Sequence, residues 1–249
     1  AAKMKKILSL IVADGTAVTF AACGESEDQT TDSSAVSAGS TTTAEQTASE
    51  DSLDNAETAD TQSSESGEEQ GSNILVAYFS WADNAVLADD VDAVASPSVI
   101  PPGNVQQLAG WVQEETGGDL FSIRVTDPYP SDWDDCLTRA NQERSDNARP
   151  ELVENVDNLD DYDTVFLGYP NWWYGVPMAL LTFLEQDDLS DKQVYLFCSH
   201  GTGGLANSVE LITEAAPQAV ISDNIFDCYE EEAASSQFDI QSWVNGLGY

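Results

Sequence analysis

The sequence predicts an α/β fold in which five parallel strands form one sheet with helices on both faces. Three observations predict it. Continuous apolar runs at Ile74-Leu-Val-Ala-Tyr-Phe-Ser80, Val165-Phe-Leu167 and Gln193-Val-Tyr-Leu-Phe-Cys-Ser199 read as strands buried on both faces. Stretches with helical apolar spacing lie between them. Each of the three runs ends in a loop rich in hydroxyl, aromatic or glycine residues, and open α/β sheets bind ligands at such carboxyl ends.

Charge and composition set the rest of the chain apart. The 249 residues include 45 acidic and 8 basic ones, a formal net charge of −37. A surface of that sign repels nucleic-acid phosphates and excludes nucleic acid as a partner. Met4-Lys-Lys-Ile-Leu-Ser-Leu-Ile-Val-Ala13 puts basic residues before a short apolar run, the arrangement of an export signal. Phe20-Ala-Ala-Cys23 resembles the lipobox of bacterial lipoproteins. Residues 1–23 are therefore expected to direct export and lipidation at Cys23, anchoring the protein to the outer face of the cytoplasmic membrane. Residues 24–73 hold 13 acidic residues, no Lys or Arg and almost no large apolar side chain. They are expected to form a disordered acidic tether, because such a chain cannot offset its own entropy by burial. The folded part is placed at residues 74–249, with 31 acidic residues against five basic ones.

In order, residues 74–80 form the first strand. Residues 81–103 read as an inserted loop with at most one helical turn near residues 86–91. Asn104 reads as the N-cap of a helix carrying Val105, Leu108, Ala109 and Val112, which Gly117-Gly118 stops. Residues 119–125 alternate as a second strand. A helix over 131–145 turns Trp133, Leu137 and Ala140 to one face. The third strand follows Asp163, and Pro177 opens a strongly apolar helix with Met178, Leu180, Leu181 and Leu184. Residues 193–199 are the fourth strand, 205–216 a helix, 219–226 a fifth strand interrupted at Asp223-Asn224, and 238–247 the last helix.

The loop after the third strand reads Gly168-Tyr-Pro-Asn-Trp-Trp-Tyr-Gly175. Tyr169, Trp172, Trp173 and Tyr174 are too large to be buried by one loop, so they pack on neighbours or line a pocket for a flat ligand, with one Trp expected inward and one toward the ligand. The loop after the fourth strand, His200-Gly-Thr-Gly-Gly204, offers free backbone for hydrogen bonds to a ring's edge. After the first strand, Ser80 and the amides of Asn104 and Val105 can meet a phosphate at a helix N-terminus. His200, the only histidine, reads equally as a donor or proton source at the ring and as a solvated loop residue. No Gly-x-Ser-x-Gly elbow supports a Ser-His-Asp triad. Cys136, Cys198 and Cys228 show no zinc spacing. Cys198 reads as a buried small side chain, and a Cys136–Cys228 bridge stays open.

Together, the run ending at Ser80 with Gly103-Asn104, the Tyr-Pro-x-Trp-Trp loop and Ser199-His-Gly-Thr-Gly-Gly204 resemble the flavodoxin-like family, in its branch of uncharacterised bacterial flavoproteins. The resemblance spans residues 74–249 and implies a flavodoxin-like three-layer sandwich that binds FMN non-covalently. It implies phosphate contacts at Ser80, Asn104 and Val105, with Trp81 against the ribityl chain or ring. Pro170, Asn171, Trp172, Trp173, Tyr174 and Gly175 would flank one side of the isoalloxazine, and Ser199, His200, Gly201, Thr202, Gly203 and Gly204 its edge and other side. The family's phosphate loop is a tight Ser/Thr-x-Thr-Gly-x-Thr turn. Here residues 81–102 intervene, and Val105 stands at the last hydroxyl position. The implied roles are an electron carrier or an FMN-dependent reductase of the quinone or NAD(P)H type, working with a redox partner protein or a small-molecule acceptor. The aromatic loop also suits a flavin-free lipoprotein that binds a sugar or another planar molecule, and the acidic face suits a docking module.

Overall fold

The computed structural model describes residues 73–87 and 98–249. The export signal, Cys23, the acidic tether up to residue 72 and residues 88–97 of the inserted loop lie outside the described residues. In chain order the elements are β1 (Ile74–Tyr78), β2 (Ala85–Val86), α1 (Asn104–Thr116), β3 (Asp119–Ser122), β4 (Tyr129–Pro130), α2 (Trp133–Ser145), β5 (Thr164–Pro170), α3 (Met178–Gln186), β6 (Gln193–His200), α4 (Ser208–Ala215), β7 (Val220–Ile221), β8 (Phe226–Tyr229) and α5 (Gln237–Leu247).

The main sheet is parallel throughout and runs β3-β1-β5-β6, with β7 and β8 both paired to the far edge of β6. Alternation along the strands builds two cores. Leu75, Ala77, Phe79, Val165, Leu167, Tyr169, Val194, Leu196 and Cys198 face the side covered by α3, Ile212 of α4 and Cys136 of α2. Ile74, Val76, Tyr78, Phe166, Phe197, Phe226 and Cys228 face α1 and α5. The result is the three-layer α/β sandwich with the expected parallel sheet. At Gly168 a Cβ would run into the Phe197 ring, so glycine is what lets β5 and β6 lie side by side there.

Several boundaries differ from expectation for identifiable reasons. β3 ends at Ser122 because its partner β1 ends; beyond it, the Val153 amide bonds the Arg124 carbonyl and the Thr126 amide bonds the Glu151 carbonyl. The fifth strand is two pieces at successive registers along β6, Val220 opposite Gln193 and Phe226 opposite Phe197, and it continues to Tyr229. Gly103, not Asn104, occupies the N-cap of α1, and Pro177 caps α3 from outside. α2 starts at Trp133, its first turn closed by the Asp132 carboxylate accepting the Asp135 amide at 3.0 Å. Residues 205–207 stay out of α4, because the Asn207 amide donates to the Tyr174 carbonyl of the aromatic loop.

The insertion after β1 supplies β2, which pairs with β4, a small unit the sequence pattern does not show. No helix at residues 86–87 is present; Val86 is in β2 and residues 88–91 lie outside the described region. Cys136 and Cys228 are free thiols in opposite cores, so no bridge joins them.

Candidate functional site

The carboxyl ends of β1, β5 and β6 meet α2 around a cavity of about 310 Å³. The sequence-expected residues lining it are Trp81, Pro170, Asn171, Trp172, Trp173, Tyr174, Ser199, His200, Gly201, Thr202 and Gly203. Ser80, Asn104, Val105, Gly175 and Gly204 lie outside the lining.

The aromatic loop is shaped by a tight turn. Tyr169 does not belong to it; the ring is fully buried within β5, and its hydroxyl lies 2.9 Å from Ser208 Oγ. Trp172 and Gly175 exchange both backbone hydrogen bonds, at 3.3 and 2.9 Å, around Trp173 and Tyr174. Those two residues have φ of 53° and 60°. Two left-handed residues in succession make a type I′ turn, a geometry that favours Asn-Gly. In bulky residues it stores roughly 1–2 kcal/mol each. Neighbours hold it in place: Trp173 Nε1 donates to the Leu137 carbonyl of α2 at 3.1 Å, and Asn207 holds the Tyr174 carbonyl at 3.0 Å. Trp172 turns inward, edge-on to Phe79 at 5.4 Å and Tyr129 at 5.2 Å. Trp173 stays at the cavity wall.

The glycine loop lies against it. Asn171 donates through its amide to the Ser199 carbonyl at 2.9 Å and through Nδ2 to the Gly204 carbonyl at 2.6 Å. A Cβ on Gly203 would come within 2.8 Å of the Tyr174 ring, so glycine lets that ring lie on the backbone. Among the described residues, the amides of Gly201, Thr202 and Gly203 donate to no protein group, and all three residues are exposed. They are available to the edge of a ligand.

His200 ends β6 and is buried rather than solvated, with 5% of its side chain exposed. Nδ1 lies 2.9 Å from the Gly201 carbonyl and Nε2 2.7 Å from Asp227 Oδ2. A carbonyl only accepts, so Nδ1 donates to Gly201, and Nε2 is taken up by the Asp227 carboxylate. Neither nitrogen is then left for a ligand. The histidine fixes the Gly201 peptide instead of donating to a ring.

At the β1 end, Ser80 is 1% exposed, and its Oγ has no hydrogen-bond partner. Gly103, at φ +73°, keeps space beside it: a Cβ would stand 2.7 Å from Ala82 Cβ and 3.0 Å from Ser80 Oγ. Asn104 is buried, and its Nδ2 donates to the Glu230 carbonyl at 3.0 Å, with Ser98 Oγ at 3.3 Å and Ser199 Oγ at 3.4 Å. It joins the insertion, β6 and the turn after β8. Val105 packs into the α1–α5 core.

The pattern reading missed six lining residues: Ser98, Trp133, Cys136, Leu137, Ala140 and Glu230. The signal for α2 was present in its helical stripe, which reads equally well as core. Burial pushes the Cys136 thiol up to about 12, so it stays protonated and offers no thiolate to the cavity. Among the described residues no group of His, Cys, Asp or Glu is arranged to hold a metal ion.

A doubly covered parallel sheet with a cavity over its carboxyl ends defines an open-sheet α/β protein with a candidate ligand site where such sheets bind. The sequence profile of a family described as flavodoxin matches residues 92–247, more than half of the chain, and the chain belongs to that family. Solved structures similar to it include two candidate flavoproteins. A candidate flavoprotein from Bacteroides eggerthii DSM 20697 is 27% identical over 71% of this chain and 98% of its own, with a TM-score of 0.54. Another from Bacteroides uniformis ATCC 8492 is 25% identical over 70% of this chain and 99% of its own, with a TM-score of 0.56. No curated protein matches the sequence significantly.

The residues suit a ligand with a phosphate at one end and a planar ring at the other. The orphaned Ser80 hydroxyl beside the Gly103 turn and the first amides of α1 suit a phosphate. The unspent Gly201–Gly203 amides and the Trp173 and Tyr174 walls suit a planar ring with polar edges.

Proposed function

We propose that residues 74–249 bind FMN non-covalently and serve electron transfer, as a carrier or as a flavin-dependent oxidoreductase. The observation that carries this reading is the cavity itself: an aromatic loop and a glycine loop with unspent amides, fastened to each other at the ends of β5 and β6, beside a buried hydroxyl without a partner. Bound FMN supplies one- and two-electron chemistry; the protein holds and tunes it. Gly201, Thr202 and Gly203 would meet the ring's polar edge, Trp173 and Tyr174 its faces, and Ser80 with the α1 N-terminus its phosphate. No side chain acts as a nucleophile.

The proposal extends to location and partners. The basic and apolar pattern of residues 1–23, the lipobox-like Cys23 and the acidic composition of residues 24–73 support a domain anchored by lipid outside the cytoplasmic membrane. The excess of acidic residues favours a basic redox partner and disfavours adding electrons to the flavin. The test is titration of the flavin-free full chain with FMN. We expect saturable quenching of flavin fluorescence at one equivalent and a yellow protein peak on gel filtration. A colourless peak with unquenched flavin overturns the reading.

A further inference from the structure

Behind the aromatic loop lies a second cavity, of about 240 Å³, that touches no residue of β6 or of the glycine loop. It shares with the first cavity only a partition, Trp172, Trp173 and Tyr174. Its apolar wall is made by Val176, by Met178 and Leu181 of α3, all three buried, and by the half-buried Leu211 of α4. The last turn of α2 adds Arg144. The two cavities have opposite charge: the first is lined by Glu230 and no basic residue, the second by Arg144 and no acidic residue. Residues 74–249 hold 31 acidic residues against five basic ones, so a lining with a cation and no carboxylate reverses the sign of the surface around it. Such a site draws in an anion that the rest of the surface repels.

The other basic residues of the fold are all engaged. Arg124 pairs with Glu154 at 2.9 Å, Arg139 with Glu143 at 2.8 Å and Arg149 with Glu185 at 2.7 Å. Lys192 donates to the Tyr162 carbonyl. Among the described residues, the Arg144 guanidinium has neither an ion pair nor a hydrogen bond. A guanidinium offers a planar fork of donors that matches a carboxylate. The aliphatic side chains next to it gain from covering an alkyl chain. A second charge on the ligand would find no second cation, and the volume is too small for a nucleotide.

We propose that this cavity binds a small apolar monocarboxylate of the fatty-acid class. The carboxylate sits on Arg144, and the alkyl chain lies on Val176, Met178, Leu181 and Leu211. The ligand is held and not transformed, since no Ser, Cys, His, Asp or Glu lines the cavity to act on it. The site is separate from the one assigned to the flavin and binds with or without FMN.

The test is calorimetric titration of the full chain with octanoate, butyrate and octanol, on wild type, Arg144→Gln and Leu211→Asp, with and without saturating FMN. We expect octanoate to bind saturably at one site per chain, and butyrate at least about tenfold more weakly because it covers less of the apolar wall. Arg144→Gln should weaken octanoate about tenfold or more and leave octanol within about twofold, because octanol lacks the charge that Arg144 meets. Its thermal unfolding should match wild type, since the side chain it replaces is exposed and makes no bond. Leu211→Asp sets a carboxylate in the apolar wall and should abolish octanoate binding; should it not fold, Arg144→Gln decides. Absence of saturable octanoate binding to wild type overturns the inference. So does an Arg144→Gln protein that binds octanoate like wild type, or that loses octanoate and octanol alike. Displacement of octanoate by FMN, one for one, overturns it by placing octanoate in the first cavity. Failure of wild type to take up FMN overturns the flavin reading alone, and the titrations without FMN still decide this one.

Discussion

At the β1 end of the site, the polar groups are buried and largely engaged with one another: Asn104 spans three segments, Val105 is in a core, and, among the described residues there, the Ser80 hydroxyl is without a partner. At the β5 and β6 end, the loops are open, their glycine amides are unspent, and their shape is set by a strained turn held from outside. The first end joins elements and gives a ligand little area. The second gives area and hydrogen bonds, and its strain is balanced by contacts a ligand need not supply. On the FMN reading, the ring end contributes more of the binding energy than the phosphate end.

Substitutions at the two ends should behave differently. The largest effect is expected from Trp172→Ala, which removes the ring wedged between Phe79, Trp81 and Tyr129. Urea denaturation should show a loss of about 3 kcal/mol, with FMN affinity of the folded fraction little changed. Collapse of FMN binding at unchanged stability would assign Trp172 to the ring and break the comparison. Asn104→Ala removes the bonds to the Glu230 carbonyl and Ser199 Oγ, and should cost about 2 kcal/mol of folding stability by the same measurement. Ser80→Ala sharpens the comparison at the ligand. FMN affinity should fall about tenfold, or ~1.4 kcal/mol, riboflavin affinity should hold, and removal of an orphaned hydroxyl should raise the apo protein's stability by up to about 1 kcal/mol. Equal losses for both flavins would place Ser80 away from the phosphate. The smallest effect is expected for Trp173→Phe, which keeps an aromatic wall and loses the bond to the Leu137 carbonyl, about 1 kcal/mol in thermal or urea unfolding.

The sheet was readable because burial on both faces writes long apolar runs; β1 and β6 match theirs closely, while β5 runs three residues past Leu167, to Pro170, into what the pattern reads as loop. Pieces that depend on a neighbour were not readable. β7 and β8 look like one strand in sequence because their separate registers exist only along β6. Asn104 has the composition of a cap, but its side chain is committed to residues distant in sequence. The ring-end loops were found through their unusual aromatics and glycines. Trp133 was seen as a helix-face residue and not as part of the cavity, since a 3.6-residue stripe is the same whether it faces a core or a ligand. His200 showed its identity but not its two hydrogen bonds, one of which is to Asp227 on the neighbouring strand.

The most direct test of the difference between the two ends is a parallel titration of the flavin-free protein with FMN and riboflavin under identical conditions. Our account predicts that both bind and quench, with riboflavin no more than about 100-fold weaker, a difference of ~2.7 kcal/mol. Tight FMN binding with no detectable riboflavin binding would contradict it.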